Sequence, residues 1–203
     1  MWGLVESGSI TKIIKNPKGL VIGDVQYSRN IFSSRWTKSE REAIGIYEVE
    51  FDNSNKKDEK WYINTNQSFA FAGGKITASY GSATAKAHAD TLWTAQDETD
   101  GKGIEGEVAT RGLKYNLIQT LKSQVANELA KTDWYITRNT EKSTAIPSAI
   151  STHRNAVRTK QAEMETAITN ASDTPALETL YTYTEQEDGS VTRPLGELPT
   201  LES

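Results

Sequence analysis

The chain has 203 residues, 36% of them hydrophobic, and a mean hydropathy of -0.60; this excludes general disorder and fits one domain or two small ones. Its 23 basic and 27 acidic residues leave a formal net charge of -4 and are interspersed, so no basic block marks a surface for nucleic acid. With no cysteine, disulfides, thiolate metal sites and cysteine nucleophiles are excluded together.

The opening residues, Met1-Trp2-Gly3-Leu4-Val5-Glu6, lack the basic start of a secretory signal, and no apolar run approaches the roughly 18–20 residues of a membrane span. Gly3–Val5 and Ile10–Ile14 read as strands around a turn at Gly8. Asn16-Pro17-Lys18-Gly19 breaks the second strand, and Leu20–Ile22 and Val25–Tyr27 are short β-prone pieces. Thr37 and Glu40 have the spacing of a capping box opening a short helix that Gly45 ends. Ile46–Phe51 alternates strictly, with Tyr47, Val49 and Phe51 on one face of a half-buried strand. Trp61–Ile63, Ser68–Phe71 and Lys75–Tyr80 complete a small antiparallel β domain over residues 1–82.

Residues 83–106 are rich in Ala, Thr, Asp and Gly and read as a linker, with a short helix around Lys86–Leu92. Leu113, Leu117, Ile118, Leu121, Val125 and Leu129 recur at three and four, which predicts an amphipathic helix over 107–131. A loop runs to Pro147. A second helix is predicted over 147–171, with Ile150, His153, Val157, Met164, Ile168 and Ala171 inward. The simplest arrangement is an antiparallel αα-hairpin, making the chain α+β, with a helical domain over 107–184. Neither stripe is wide enough for a full core, so the hairpin packs on the β domain, on copies of itself or on another protein. Asp173 and Pro175 start a short helix, a pairing of 181–184 with 191–193 turns at Asp188-Gly189, and 185–203 forms the tail.

Few residues carry chemistry. Gly101-x-Gly103-x-x-Gly106 matches a dinucleotide-binding pattern, but it follows Asp97-Glu-Thr-Asp100 rather than a buried strand, and those carboxylates would repel phosphate. The two histidines, His88 and His153, belong to no metal-spaced cluster, and His153 lies on an apolar helix stripe. Asp97, Glu98 and Asp100 lack the remainder of a calcium loop. No catalytic, metal or cofactor residue is nominated, and the chain is expected not to be an enzyme. Trp61, Phe69 and Phe71 read first as β-domain core and second as an aromatic partner surface.

Leu129-Ala-Lys-Thr132-Asp133-Trp134-Tyr135, then Ile146-Pro147, then His153-Arg154-Asn-Ala-Val157-Arg158 resembles the C-terminal helical module of tailed-bacteriophage tail fibre assembly chaperones and tail-fibre-associated proteins. His153 departs from that pattern, where the family usually has Tyr. Met1–Ser9 and Trp36–Val49 are also phage-like, and the matches together touch about half of the chain. The resemblance implies a non-enzymatic assembly protein with other tail or fibre proteins as partners, in the virion tail or the host cytoplasm during assembly. It leaves open a structural component, a transient chaperone and a receptor-binding tip. In physical terms Asp133 can cap amides, Trp134 can plug the hairpin tip, and Arg154 and Arg158 share a helix face from which they can bracket Asp133 or hold a partner's carboxylate. Asp133, Trp134, His153, Arg154, Val157 and Arg158 are therefore the interface candidates.

Overall fold

The computed structural model describes residues 1–201 and divides into two compact units, Met1–Thr84 and Ala85 onward. The chain is mixed α+β, with a curled five-stranded sheet and six α-helices among the described residues. No helix there is long and apolar enough to cross a membrane.

In the first unit, β1 (Trp2–Glu6), β2 (Ser9–Ile14), β5 (Ile46–Asp52), β7 (Ser68–Ala72) and β8 (Lys75–Ser79) form the sheet in the order β2-β1-β5-β8-β7. Between them lie the hairpin β3 (Leu20–Ile22) and β4 (Val25–Tyr27), a 3-10 turn at Arg29–Phe32, α1 (Lys38–Ala43) and the short β6 (Tyr62–Ile63). The sheet is not wholly antiparallel as expected: β5 and β8 run parallel, with Val49 opposite Ile76. That pairing joins strands distant in sequence, which alternation alone cannot reveal.

Both faces of the sheet are used. Val49, Ile76 and Ala78 pack on the inside of the curl with Met1, Val5, Ile10, Tyr47, Phe69 and Phe71 around them. Gly3 makes room there, since a Cβ would stand 2.3 Å from Ile76 Cδ1. Leu4, Ile14 and Ile46 pack on the outside beneath Ile31, which the 3-10 turn delivers. Hence β5 sends Ile46 outward and Val49 inward, and Phe51, expected on the buried face, is 49% exposed. The capping box forms as the spacing predicts, Glu40 N donating to Thr37 Oγ1 at 3.2 Å and Thr37 N to Glu40 Oε2 at 2.7 Å.

The second unit contains β10 (Thr91–Leu92), α2 (Ala95–Thr99), β11 (Val108–Thr110), α3 (Leu113–Ala130), α4 (Asp133–Lys142), α5 (Ser148–Asn170), α6 (Thr174–Tyr181), β12 (Thr184–Glu185) and β13 (Val191–Thr192); β9 (Thr84–Ala85) lies at the division. Several expectations change. Lys86–Leu92 is not helical; the region expected to be linker holds α2 and β10, and residues 107–112 form β11 and a turn. The glycine motif is structural: a Cβ at Gly103 would stand 2.3 Å from the Trp93 indole nitrogen. The non-helical path has a reason, because Leu113 N and Lys114 N donate to Ala87 O and His88 O, both at 3.0 Å. The preceding loop thus satisfies first-turn amides that Gly112 cannot cap.

Helices α3 and α5 pack antiparallel. Lys114 Nζ, at the start of α3, donates to Thr169 O at the end of α5 (2.8 Å), and Glu128 meets His153 at the other end. Leu117, Leu121 and Val125 face Ile150, Val157, Met164 and Ile168 in the buried seam. This is not a bare hairpin: the expected loop contains α4, and α6 adds the fully buried Leu177. The expected tail contributes too, for Leu195 is 3% exposed and its N–H donates to Leu180 O at 3.0 Å.

Candidate protein-interaction site

The interface candidates meet where α3 ends, α4 begins and α5 begins. Arg154 is buried, and its Nη1 lies 2.8 Å from Leu129 O, 2.7 Å from Thr132 Oγ1 and 2.9 Å from Asp133 Oδ1. Leu129 O is one of the last α3 carbonyls, which lack helical partners, so a cation beside it also suits the helix C-terminus. Thr132, 1% exposed, donates its hydroxyl to the same carbonyl at 3.0 Å. One guanidinium thus ties three helices together.

His153, next to Arg154, makes the second tie. Its Nε2 faces Glu128 Oε1 at 3.2 Å without hydrogen-bond alignment, and neither atom has another partner. Lys131 donates to the other oxygen of Glu128. That hydrogen bond, followed by the charges of Lys131 and His153, holds the Glu128 carboxyl below its ordinary range against the opposing effect of burial. Val157, one turn further along α5, is fully buried in the seam.

Two candidate roles change. Asp133 does not cap: α4 starts from Thr132 without a side-chain cap, and Asp133 instead sits in the first turn, paired with Arg154. Trp134 is not a plug. It is 51% exposed, its ring lies 3.8 Å from that of Tyr135, and the Arg138 guanidinium stacks over both at 4.7 and 5.3 Å. Arg158 is exposed, and its guanidinium donates to Arg154 O at 3.5 Å rather than pairing with Asp133. Asp133 is therefore bracketed by one arginine, not two.

Helix α4 has no buried residue, yet it carries Trp134, Tyr135, Ile136 and Arg138. A ten-residue helix is marginal alone in water, so local stacking and the Arg154 tie must hold it. Reading by period missed it because Trp134, Tyr135 and Ile136 are consecutive rather than spaced at three and four. The left-handed Ser143 at its C-terminus has no glycine to announce it.

The aromatic candidates of the first unit sit mostly in its core, as the first of the two readings had it. Trp61 is 3% exposed, and Phe69 and Phe71 are half-buried against the inner sheet cluster. Among the described residues no three metal-ligating side chains gather. No family model, curated protein or solved structure matches the chain.

Proposed function

We propose that the chain is a non-enzymatic assembly protein of a tailed-phage tail or tail fibre, and that it grips its protein partner through the exposed face of α4. The observation that carries this reading is a helix with no buried residue that displays a Trp134–Tyr135–Arg138 stack. Trp, Tyr and Arg are the side chains that most often dominate binding energy at protein interfaces. The resemblance supplies the partner class, because Thr132-Asp133-Trp134 and Arg154 are the residues that carry it. Arg154 and Thr132 then act as positioning residues that fix the exit angle of α4, and Trp134 is the contact.

The test pairs virion analysis with a substitution. Mass spectrometry of purified particles from the phage encoding the chain is expected to find it at stoichiometric level; recovery only from assembly extracts would make it a transient chaperone. Trp134→Ala is expected to loosen α4 locally and leave the main thermal melt nearly unchanged, because α4 buries no residue, while reducing particle incorporation at least ten-fold. Normal incorporation of that variant would sink the α4 assignment.

A further inference from the structure

The even mixing of charge along the whole chain conceals a local excess. Between Glu6 and Glu40 stand six cations, Lys12, Lys15, Lys18, Arg29, Arg35 and Lys38, against one acid, Asp24. Residues 1–84 carry 11 basic and 9 acidic side chains, whereas residues 85–203 carry 12 and 18. Lys12, Lys15 and Lys18 line a cleft of about 430 Å³ between the end of β2 and the start of β3, with Ile13, Ile14 and Leu20 also in its lining. Among the described residues none of these three ammonium groups has an ion pair, whereas Lys38, Lys56, Lys75, Lys102, Lys131 and Lys160 each have at least one. Strand β2 is also the last in its sheet order, hydrogen-bonded only to β1, and the curl brings β7 near the Ile10 part of it. Lysines on an edge strand commonly deter unwanted pairing. Here they border a cleft with apolar residues in its lining, which deterrence does not require.

The second unit holds the complementary shape. The β12–β13 hairpin is a two-stranded sheet with both outer edges free, and Glu185, Glu187 and Asp188 give it three acids with no cation before Arg193. Its turn is firmly set: Gln186 N donates to Ser190 O at 2.8 Å, and Gln186 Nε2 reaches Thr192 Oγ1 at 2.9 Å. Glu185 pairs in register with Val191, so an acid and an apolar side chain, the latter 60% exposed, share one face. Among the described residues neither Glu185 nor Glu187 is ion-paired, so each patch lacks the counter-charge that the other carries.

We propose that these patches bind each other between copies of the chain: the acidic β12–β13 hairpin of one molecule adds to the lysine-lined cleft beside β2 of the next. Backbone pairing at the Lys12–Ile14 end of β2 provides the attachment, Val191 meets the apolar part of the cleft lining, and the lysines set the register against Glu185 and Glu187. Exposed ion pairs are individually weak, so the charges select the partner while the strand edges hold it. The two surfaces differ, so the contact is head-to-tail. It stands on these two patches and not on the tail-fibre reading.

Light scattering and sedimentation of the full chain test it. Association is expected to rise with concentration at about 50 mM salt and to weaken at least ten-fold at about 500 mM, where screening acts within a few ångströms. The fully exposed triple change Lys12→Glu/Lys15→Glu/Lys18→Glu and the separate pair Glu185→Lys/Glu187→Lys are each expected to give folded monomers by circular dichroism. Mixing the two variants restores association, and combining all five changes in one chain restores self-association. A wild type that stays monomeric at low salt overturns the proposal, as does an oligomer indifferent to both variants or a mixture that fails to associate. Failure would leave the α4 reading intact, because Trp134 lies in neither patch.

Discussion

Replacing Arg154 by Met isolates the tie that holds α3, α4 and α5 together. Met keeps the length and apolar stem of the side chain, so little cavity opens, but the guanidinium bonds to Leu129 O and Thr132 Oγ1 are lost. Hydrogen bonds to a charged group contribute about 1.5–3 kcal/mol each, and two sharing one nitrogen fall at the low end, so roughly 3 kcal/mol is expected. The Asp133 partner adds little: its side chain is 60% exposed, and an ion pair with a solvated member contributes about 0–1 kcal/mol. Asp133→Asn should therefore cost less than about 1 kcal/mol, and Thr132→Val about 1–2 kcal/mol for the hydroxyl. Urea unfolding of the full chain followed by far-ultraviolet circular dichroism reads these differences as midpoint shifts at constant slope. The reasoning is refuted if Asp133→Asn costs as much as Arg154→Met, because the ion pair rather than the carbonyl and hydroxyl contacts would then hold the junction.

Three further outcomes follow from the same geometry. Gly3→Ala forces a methyl into Ile76 and should cost about 1–3 kcal/mol by overpacking, with Ile76→Val recovering part of it in a double-mutant cycle; simple additivity of the two would contradict the contact. Because the folded pKa of Glu128 lies below its unfolded value of about 4.3, its contribution is complete above about pH 5 and is lost as pH falls through the folded value. The stability gap between wild type and Glu128→Gln should accordingly shrink on acidification, and a gap constant from pH 7 to about pH 3 would remove Glu128 from the account. Leu177→Ala, at a fully buried site on α6, should lower stability by about 2–5 kcal/mol in the same urea titration, and a change below 1 kcal/mol would mean α6 is not part of the core.

The sequence made some of this legible for physical reasons. Leu117, Leu121 and Val125 and the Ile150–Ile168 stripe repeat with the helical period because one face of each helix is buried and the other wet. Thr37 with Glu40 announces a helix start because the pair satisfies local amides, and Asp173 with Pro175 does so because Asp173 accepts from Ala176 N while Pro175 has no amide to satisfy. The β5–β8 pairing was not legible, since parallel neighbours leave no local turn signal. Nor was the start of α3, whose amides are met by Ala87 O and His88 O from a preceding loop. At the candidate site the residues were legible but their orientation was not: a short motif names Asp133 and Trp134, while burial of Arg154 decides that one is an anchor and the other an outward-facing ring.

The position of β1 carries a consequence for biosynthesis. It is an interior strand, between β2 and β5, yet it and β2 leave the ribosome long before β5 and β8 exist. At about 5–20 residues per second, β5 follows the completed β1–β2 hairpin by roughly two to eight seconds. Throughout that interval the flank of β1 that will receive β5 is an open template, and Gly3, which later admits Ile76, leaves it without a side chain as a guard. A nascent chain stalled in this window, in a cell making many copies at once, would meet its neighbours' β1 edges before its own β5, so slow synthesis through residues 15–45 would favour strand exchange between molecules over closure of the sheet within one.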